Sequence, residues 1–390
     1  MDTSFDVVIA GGGLVGASLA LALGTADVTV AIVEPQAPKP LPADNSWDVR
    51  VYAVSPGSAA FLETCGAWSR LPAERLSRVE AMRVFGDQLG ARLDFSAYDA
   101  GLRELAFIVE NRLLQNALWQ RLLDTPHVSV FCPARCASVV WQPDAVALRL
   151  EDGTELATRL LVAADGAESW VRRQAGIAVT PTSYGQLGVV ANFRVGAPHR
   201  GIAHQWFRRD GVLALLPLPG CHVSMVWSTN EAHGRELLEL DPHELAATVE
   251  AASQQALGSL SPINPAAAFP LQLQRVAHFV SPRLALVGDA AHNVHPLAGQ
   301  GVNLGFRDAR ELASVLRGRG PQKDCGDFHL LRRYERARRE DVYALQLTTD
   351  GLQKLFAQER AWVAKVRNLG LSWVNSQSQL KKRLVQRAVA

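Results

Sequence analysis

Residues 5–34, FDVVIAGGGLVGASLALALGTADVTVAIVE, decide the fold of this chain. They begin with a short apolar strand at residues 5–10, pass through three glycines, and enter an all-apolar helix at residues 14–23. A second strand, rich in β-branched residues, follows at residues 28–33. A strand, a helix and a second strand of these lengths predict a β-α-β unit, in which the two strands are parallel and buried on both faces.

The glycines Gly11, Gly13 and Gly16 have the spacing G-x-G-x-x-G between the strand and the helix. In that position the first glycine permits a tight turn, the second lets a pyrophosphate approach the backbone, and the third lets helix and strand pack closely. Glu34 ends the second strand, where a carboxylate can accept both hydroxyls of an adenosine ribose and would repel a 2′-phosphate. The pattern predicts a site for FAD or NAD rather than NADP. The alternative is a glycine-rich turn without a ligand.

Two further apolar segments end in acidic turns. Residues 284–287 lead into Gly288 and Asp289, and small residues follow. A carboxylate at the carboxyl end of a strand, facing the start of a helix, suits the ribityl hydroxyls of a flavin; the alternative is a plain N-cap. Asp165 follows the segment 159–164 in the same way, although an Asp-Gly turn alone is common. The turn at Asp289 therefore favours a flavin dinucleotide.

The rest of the chain alternates between two kinds of strand and several helices. Helical patterns recur at residues 59–71 and 111–123, and again from about residue 308 onward. Short strands are predicted at residues 128–132, 137–141, 145–150 and 159–164, with a hairpin turn at residues 152–153. Residues 184–230 contain segments of period two, which is typical of an antiparallel sheet. Because residues 284–287 return to the first kind of strand, we expect the nucleotide-binding domain to be discontinuous.

The composition excludes several classes of partner and site. The 390 residues are 48% hydrophobic and 20% charged with a formal net charge of +2, so nucleic acid is not an expected partner. No apolar run approaches the roughly 18 residues that a membrane span needs. The acidic first residues resemble neither a signal peptide nor a transit peptide, and the five cysteines are expected to be reduced thiols. We therefore expect a cytoplasmic protein without a metal site.

Three longer stretches carry a family resemblance. They are the run HPLAGQGVNLGFRD at residues 295–308, DVRVYAVS at residues 48–55 and VENRLLQNAL at residues 109–118. Together with the glycine and acidic turns, they resemble the FAD-dependent hydroxylases of ubiquinone biosynthesis, which are flavoprotein monooxygenases of the para-hydroxybenzoate hydroxylase type. The resemblance covers nearly the whole chain, and the run at residues 295–308 is its most specific part.

The resemblance implies an α/β fold, α+β overall, with a Rossmann-like FAD/NAD(P)-binding domain and a smaller antiparallel β-sheet substrate domain. The predicted FAD-binding domain is discontinuous and comprises residues 1–75, 100–179 and 277–340. The predicted substrate domain comprises residues 76–99 and 180–276, and residues 341–390 form a helical C-terminal region.

The resemblance also implies an aromatic-ring monooxygenase that uses NAD(P)H and O2 through a C4a-hydroperoxyflavin, with a polyprenylated phenol of ubiquinone biosynthesis as substrate. FAD is expected to bind non-covalently, and NAD(P)H to dock only transiently, because the sequence has no second G-x-G-x-x-G site. Two alternatives remain open, a flavin-dependent isoprenoid reductase and a non-catalytic FAD-bound subunit of a biosynthetic assembly. Oxygen uptake that depends on NAD(P)H and a phenol distinguishes all three.

Site residues follow from the resemblance position by position. Glu34 would bind the adenosine ribose, Arg50 and Arg112 would approach the FAD phosphates and ribityl chain, and Asp165 would support the pyrophosphate region. Gly288 and Asp289 would hold the ribityl chain. The flavin loop supplies the rest: catalytic positions His295, Pro296, Gly299 and Gln300, with no general base assigned, and flavin-lining positions Pro296, Gly299, Gly301, Val302 and Asn303. A helix that begins near Gly301 would direct its positive end at the flavin pyrimidine.

The last twelve residues, 379–390, have apolar side chains on one helical stripe and four basic residues, with no acidic residue. This composition is typical of a short interfacial helix drawn to anionic lipid, which would place the protein at the periphery of the inner membrane. The alternative is a solvated terminal helix that packs on its own domain or on a partner within a ubiquinone-biosynthesis complex. The sequence leaves both interpretations open.

Overall fold

A computed structural model describes residues 3–24, 28–44, 46–87, 91–293, 301–320, 323–356, 375 and 377–389. The predicted flavin-loop positions His295, Pro296, Gly299 and Gln300 lie outside these residues. The strands, in chain order, are β1 (Ser4–Ala10), β2 (Val30–Val33), β3 (Val51–Val54), β4 (Ser77–Val79), β5 (Ala81–Phe85), β6 (Arg92–Ser96), β7 (Ala106–Glu110), β8 (Val128–Phe131), β9 (Cys136–Trp141), β10 (Val146–Leu150), β11 (Glu155–Ala163), β12 (Val179–Val195), β13 (Ile202–Arg208), β14 (Gly211–Leu218), β15 (His222–Asn230), β16 (Leu260–Pro262), β17 (Ala267–Val276), β18 (Val280–Ser281), β19 (Leu284–Leu286) and β20 (His292–Asn293).

The α-helices, in chain order, are α1 (Leu14–Leu23), α2 (Pro56–Thr64), α3 (Ala97–Ala100), α4 (Asn111–Leu123), α5 (Trp170–Gln174), α6 (Glu231–Glu239), α7 (Pro242–Ala252), α8 (Gly301–Arg317), α9 (Phe328–Phe356) and α10 (Ser378–Val389). Short 3-10 helices lie at Trp68–Arg70, Ala73–Arg75 and Gly288–Ala290. No helix in the described part of the chain is long and apolar enough to cross a membrane.

The first sheet is built around β1, as the opening stretch predicts. Its order is β18-β19-β11-β1-β2-β8, and β1 pairs in parallel with both β2 and β11. Residues 7–9 of β1 are fully buried, because α1 and other helices cover the sheet on its faces. The predicted hairpin at residues 152–153 joins β10 to β11. The mixed α/β class and the Rossmann-like unit are therefore confirmed.

The second sheet is mostly antiparallel and has the order β20-β17-β12-β15-β14-β13-β5-β6, with β16 paired to β12. Among the described strands of this sheet, β13 and β5 form the one parallel pair. One face packs against α6 and α7 in a separate apolar core that contains Trp206 and Trp227. Most of these strands come from residues 76–99 and 180–276, and we propose those segments as the substrate domain.

A smaller three-stranded sheet, β3-β7-β4, lies next to the second sheet. Its strand β3 lies within the stretch at residues 48–55 that carries part of the family resemblance. Helix α2 begins directly after β3, where the Ser55 side chain accepts a hydrogen bond from the Ser58 amide. The predicted helix at residues 59–71 is wrong at both ends: α2 runs from Pro56 to Thr64, and Gly66 with φ +70° turns the chain away. A left-handed residue just past the last turn ends a helix efficiently.

Candidate cofactor and substrate site

A cavity of about 790 Å³ joins the three sheets. Gly13, Ala164 and Asp289 line it from the carboxyl ends of the parallel strands β1, β11 and β19. Ligands of open α/β sheets bind at this edge, because loops and helix N-termini converge there. The opposite wall is the uncovered face of the antiparallel sheet, which includes Val190 and Val226. One cavity therefore connects the glycine loop with the apolar face of the second sheet.

The glycine loop has the geometry that a close-packed dinucleotide turn requires. Gly11 has φ +104°, and a Cβ added there would lie 2.4 Å from the Ala164 carbonyl oxygen. A Cβ at Gly16 would lie 2.0 Å from the Gly11 carbonyl oxygen, so the helix approaches the strand end at backbone contact. At Gly13, by contrast, a Cβ would have no described residue within 4 Å, and this residue lines the cavity. The first and third glycines thus close the turn, while the second faces open space at the N-terminus of α1.

Glu34 lies against the same loop. Its Oε2 accepts a hydrogen bond of 2.6 Å from the Gly12 amide, and its Oε1 accepts one of 3.1 Å from the Gln36 amide. The carboxylate is half-buried and is held beside the glycine turn at the end of β2. This position suits a group that fixes one end of an adenosine, and the ribose contact itself stays a prediction.

Asp289 follows β19 and opens into the cavity. It lines the cavity and its side chain is accessible from there, while the surrounding protein limits its contact with bulk water. This burial raises the pKa of the Asp289 carboxyl, and the nearby His292 and Arg50 oppose the rise. Gly288 has φ +58°, which favours glycine, and a Cβ there would lie 3.1 Å from Val15 of α1. The turn therefore presents one carboxylate to the cavity beside the start of α1.

The two predicted arginines take different positions. Arg50 lines the cavity and is exposed there, with its guanidinium 5.3 Å from the Tyr52 ring centroid. Arg112 instead bonds Glu110 at 3.2 Å and the Ser46 hydroxyl at 3.3 Å, and it is not among the lining residues. The Asp48 carboxylate links the two segments of the chain that carry Arg50 and Arg112.

Asp48 accepts hydrogen bonds of 3.0 Å from the backbone amides of both Arg50 and Arg112. The loop before β3 and the start of α4 are therefore held together next to the cavity, although only Arg50 directs its cation into it.

Asp165 caps the start of α5. Its Oδ2 accepts a 3.0 Å hydrogen bond from the Val171 amide, whereas its buried Oδ1 has no partner among the described residues. The neighbours Ala164 and Gly166 both line the cavity. A buried acceptor without a partner is costly, so this oxygen suits a donor supplied by a bound molecule or a water.

The N-terminus of α8 reaches the cavity through Gly301 and Val302. The Asn303 side chain does not line it: it is fully buried, accepts a 2.8 Å hydrogen bond from the Ser55 amide and donates one of 2.8 Å to the Ala53 carbonyl. Ala53 and Ser55 themselves line the cavity. Asn303 is thus placed to position the end of β3 against α8.

A buried ionic cluster behind Asp289 was not foreseen from the sequence. Asp308, fully buried on α8, accepts hydrogen bonds from the Gly288 amide at 3.0 Å and from Arg338 of α9 at 2.8 Å, and lies 2.6 Å from His292 Nε2. Burial alone would raise the pKa of Asp308, but His292 and Arg338 outweigh it and lower that pKa. The signal available in the sequence was Asp308 itself, an acidic residue on a helical face that is otherwise largely apolar.

The ring of His292 is thus engaged by Asp308. Among the residues that the structure describes, no group of three His, Cys, Asp or Glu side chains could hold a metal ion.

The substrate end of the cavity is largely apolar. Its wall on the antiparallel sheet carries polar groups at Gln205 and Ser228 among valine, alanine and leucine side chains. Among the described lining residues, Arg50 and Asp289 are the charged ones. His204 alternates with Gln205 and therefore lies on the other face of the sheet, where it stacks on Phe85 and burial lowers its pKa to about 4.

These residues fit FAD. The open space at Gly13 faces the positive end of α1, which suits a pyrophosphate. Asp289 offers two acceptor oxygens to hydroxyl donors, and Arg50 supplies a cation in the same cavity. An apolar extension beyond them has room for a ring system and a substrate. The cavity therefore presents both the hydrogen-bond acceptors and the positive groups that a flavin dinucleotide needs.

Comparison with known proteins supports this assignment. The model of the FAD binding domain family matches residues 4–346. The ubiquinone hydroxylase UbiL of Rhodospirillum rubrum is 36% identical over 390 residues, which cover 100% of this chain and 90% of the relative. The 3-demethoxyubiquinol 3-hydroxylase of Escherichia coli is 34% identical over 98% of both chains. The human mitochondrial ubiquinone biosynthesis monooxygenase COQ6 is 34% identical over 98% of this chain and 92% of the relative.

Solved structures show the same fold at lower identity. The PqsL structure of P. aeruginosa, in complex with 2-aminobenzoylacetate, superposes with a TM-score of 0.77 at 24% identity and covers 94% of this chain and 100% of that one. The p-nitrophenol 4-monooxygenase PnpA of Pseudomonas putida gives a TM-score of 0.78 at 18% identity, with coverage of 100% and 99%. The chain is an FAD-dependent monooxygenase and belongs to the family of ubiquinone-biosynthesis hydroxylases.

Proposed function

We propose that this monooxygenase hydroxylates the ring of a polyprenylated phenol in ubiquinone biosynthesis, with O2 as co-substrate and NAD(P)H as electron donor. One observation carries the proposal: the cavity that begins at Gly13 and Asp289 continues without a break along the apolar face of the antiparallel sheet. A cofactor held at the first end and an apolar substrate held at the second would meet inside one enclosed space. The names of the relatives, ubiquinone hydroxylase and 3-demethoxyubiquinol 3-hydroxylase, support the same substrate class.

At the cofactor end, the proposed roles follow from the groups present. The N-terminus of α1 at Gly13 would bind the pyrophosphate, Asp289 would accept hydrogen bonds from the ribityl chain, and Arg50 would balance the negative charge. Glu34 would fix the adenosine ribose, and Asp165 would support the pyrophosphate region. When bound and reduced by NAD(P)H, FAD supplies the activation of O2. Arg112 would contribute to FAD binding indirectly, through its link to Asp48, rather than by a direct contact.

At the substrate end, the protein orients the phenol and excludes water. Valine, leucine and alanine side chains of the antiparallel sheet favour an apolar ring over a charged one, because an ion there would lose hydration without gaining a partner. Gln205 and Ser228 can exchange hydrogen bonds with the ring oxygens and so fix the ring's orientation. The catalytic contributions of His295, Pro296, Gly299 and Gln300 stay predictions, since these residues lie outside the described structure.

The decisive experiment measures oxygen uptake by the purified protein with NADH or NADPH and a prenylated phenol. We expect stoichiometric formation of the ring-hydroxylated phenol. Reduction of an isoprenoid double bond without oxygen uptake would support the reductase alternative, and absence of any turnover by FAD-loaded protein would support the non-catalytic subunit. The protein should be yellow, and denaturation should release all of its flavin as FAD, since the proposal requires non-covalent binding.

We further propose that the phenol is collected at a lipid surface through the exposed side of α10. Within this helix Val385 is buried against the chain itself, so part of the predicted apolar stripe does not face outward. Lys382 is exposed, and Leu384 remains 45% exposed. Lys382 would contact anionic headgroups, at roughly 1 kcal/mol per basic residue near the surface, and Leu384 would contact the hydrocarbon beneath them.

Sedimentation with anionic vesicles tests this contact, comparing the full chain with a chain truncated after Ser378. We expect the full chain to sediment with the vesicles at low salt and the truncated chain to stay in solution. If both stay in the supernatant, delivery by a partner protein in a ubiquinone-biosynthesis complex becomes the better explanation.

A further inference from the structure

The structure assigns α10 a second role, which rests on the proposed function. We propose that α10 and α3 form the mouth of the substrate cavity, that the hydrocarbon chain of the substrate leaves the cavity there, and that Leu384 is a specificity-determining residue at this opening.

Leu384 and Val385 are neighbours on α10, and both line the cavity. Val385 is 7% exposed, whereas Leu384 is 45% exposed. A side chain that borders a cavity and is also open to solvent lies at the edge of that cavity. Leu384 therefore marks an opening, and Val385 lies on its inner side.

The helix is attached to the antiparallel sheet at a defined point. The Lys381 ammonium donates hydrogen bonds to the Asp94 carbonyl at 3.2 Å and to the Asn375 amide oxygen at 3.4 Å. The same Asn375 oxygen accepts a 3.1 Å hydrogen bond from the Asp94 amide. Because Asp94 belongs to β6, this attachment holds α10 at the end of the sheet whose face forms the substrate wall.

The path through this opening is apolar on both sides. Inside, Phe95 follows Asp94 and pairs across the strands with Met82, and both side chains line the cavity. Outside, α3 contacts α10 and carries Tyr98, which is 89% exposed. Solvated aromatic and leucine side chains next to an apolar cavity indicate an apolar occupant that continues outward.

The side chains at the two ends of the cavity indicate which molecule passes through the opening. The charged lining residues of the described part, Arg50 and Asp289, lie at the cofactor end. The α10 end offers Met82, Phe95, Leu384 and Val385, which cannot bind a phosphate or a carboxylate but can cover a hydrocarbon. A polyprenyl chain attached to the ring, and longer than the cavity, fits this arrangement.

The test compares two substrates and two variants of the full-length enzyme loaded with FAD. The substrates are the same phenol with one and with four isoprene units. Leu384→Asp places a charge at the opening, and Gln386→Asp makes the same charge change at an exposed residue of α10 that does not line the cavity. FAD content and the thermal midpoint verify that each variant is folded, and Leu384→Ala serves as a milder change if Leu384→Asp is not.

We expect Leu384→Asp to lower kcat/KM for the four-unit phenol by about tenfold or more, the scale of losing one leucine contact, and to change kcat/KM for the one-unit phenol less than twofold. Gln386→Asp should leave both unchanged. An equal loss for both phenols, or no loss for either, overturns the opening at α10 while leaving the hydroxylase function intact. Wild-type enzyme that hydroxylates neither phenol overturns the proposed function, and this inference with it.

Discussion

The glycine loop allows folding and cofactor binding to be separated by two substitutions three residues apart. At Gly13 an added Cβ has no neighbour within 4 Å in the described part of the chain, and φ of −66° with ψ of −174° is accessible to any L-residue. Gly13→Val should therefore cost about 1 kcal/mol of folding free energy, mostly as a poorer N-cap. At Gly16 a Cβ would lie 2.0 Å from the Gly11 carbonyl oxygen, so that the backbone must move. Gly16→Ala should cost about 1–3 kcal/mol or more through overpacking.

For FAD binding we expect the opposite order, with the larger effect at Gly13. If the valine side chain of Gly13→Val displaces the pyrophosphate and two charge-assisted hydrogen bonds at the N-terminus of α1 are lost, each worth about 1.5–3 kcal/mol, the Kd for FAD rises by about a hundredfold to ten-thousandfold. Titration of FAD into apoprotein gives the Kd, and urea unfolding of the same apoprotein gives its stability. A Gly13→Val protein that keeps the wild-type Kd within tenfold, or that is destabilised as much as Gly16→Ala, would refute this reasoning.

Four further predictions concern single acidic or titratable groups. Asp289→Ala should raise the Kd for FAD by about tenfold to more than a hundredfold in a folded protein, and an unchanged Kd would contradict the ribityl contact. Glu34→Ala should raise the Kd less than Gly13→Val does, since it removes only the ribose contact; the reverse order in the same titration would contradict this view of the loop. His204 has its pKa lowered by burial from 6.5 to about 4, so the unfolded chain takes up the proton first as the pH falls. Stability present above pH 6.5 should then be lost toward pH 4 by up to about 3 kcal/mol, and urea unfolding of His204→Leu should show a correspondingly shallower pH dependence. Asp308→Ala removes the acceptor of the Gly288 amide and one of the two carboxylate partners of buried Arg338, which keeps Asp341, and should cost about 3–5 kcal/mol in urea unfolding. A loss below 1 kcal/mol would show that the cluster relaxes freely.

The sequence predicted the bounds of two helices, α1 and α4. Helix α1 is apolar on all sides, and it runs from Leu14 to Leu23 as predicted, because it is buried between the sheet and α8. Helix α4 likewise begins at Asn111 and ends at Leu123 as predicted. The end of α2 was mispredicted, since the apolar pattern continues through residue 71 while the left-handed Gly66 stops the helix. Periodicity alone does not show which glycine takes a positive φ.

The candidate site likewise contains some features that the sequence predicted and others that it did not. Backbone-determined features, such as the turn at Gly11 and the carboxylate at the end of β19, follow from local patterns that the structure reproduces. The directions of Arg112 and Asn303 depend on partners far away in sequence, since Arg112 meets Ser46 and Asn303 meets Ala53. The contribution of α10 to the cavity wall was not predictable either, because it depends on the attachment of Lys381 to Asp94.

The position of β1 in the parallel sheet has a consequence during synthesis of the chain. Strands β1 and β2 emerge from the ribosome early, but the other edge of β1 pairs with residues 157–163, and β19 adds only at residues 284–286. At about 5–20 residues per second, the delay before β11 emerges is on the order of ten seconds. Throughout this delay, the apolar edge formed by Val7, Val8 and Ile9 has no partner strand, and such edges are sites of aggregation. Yield in a producing cell should therefore depend on chaperones that cover the nascent N-terminal strand until the middle of the chain has been translated.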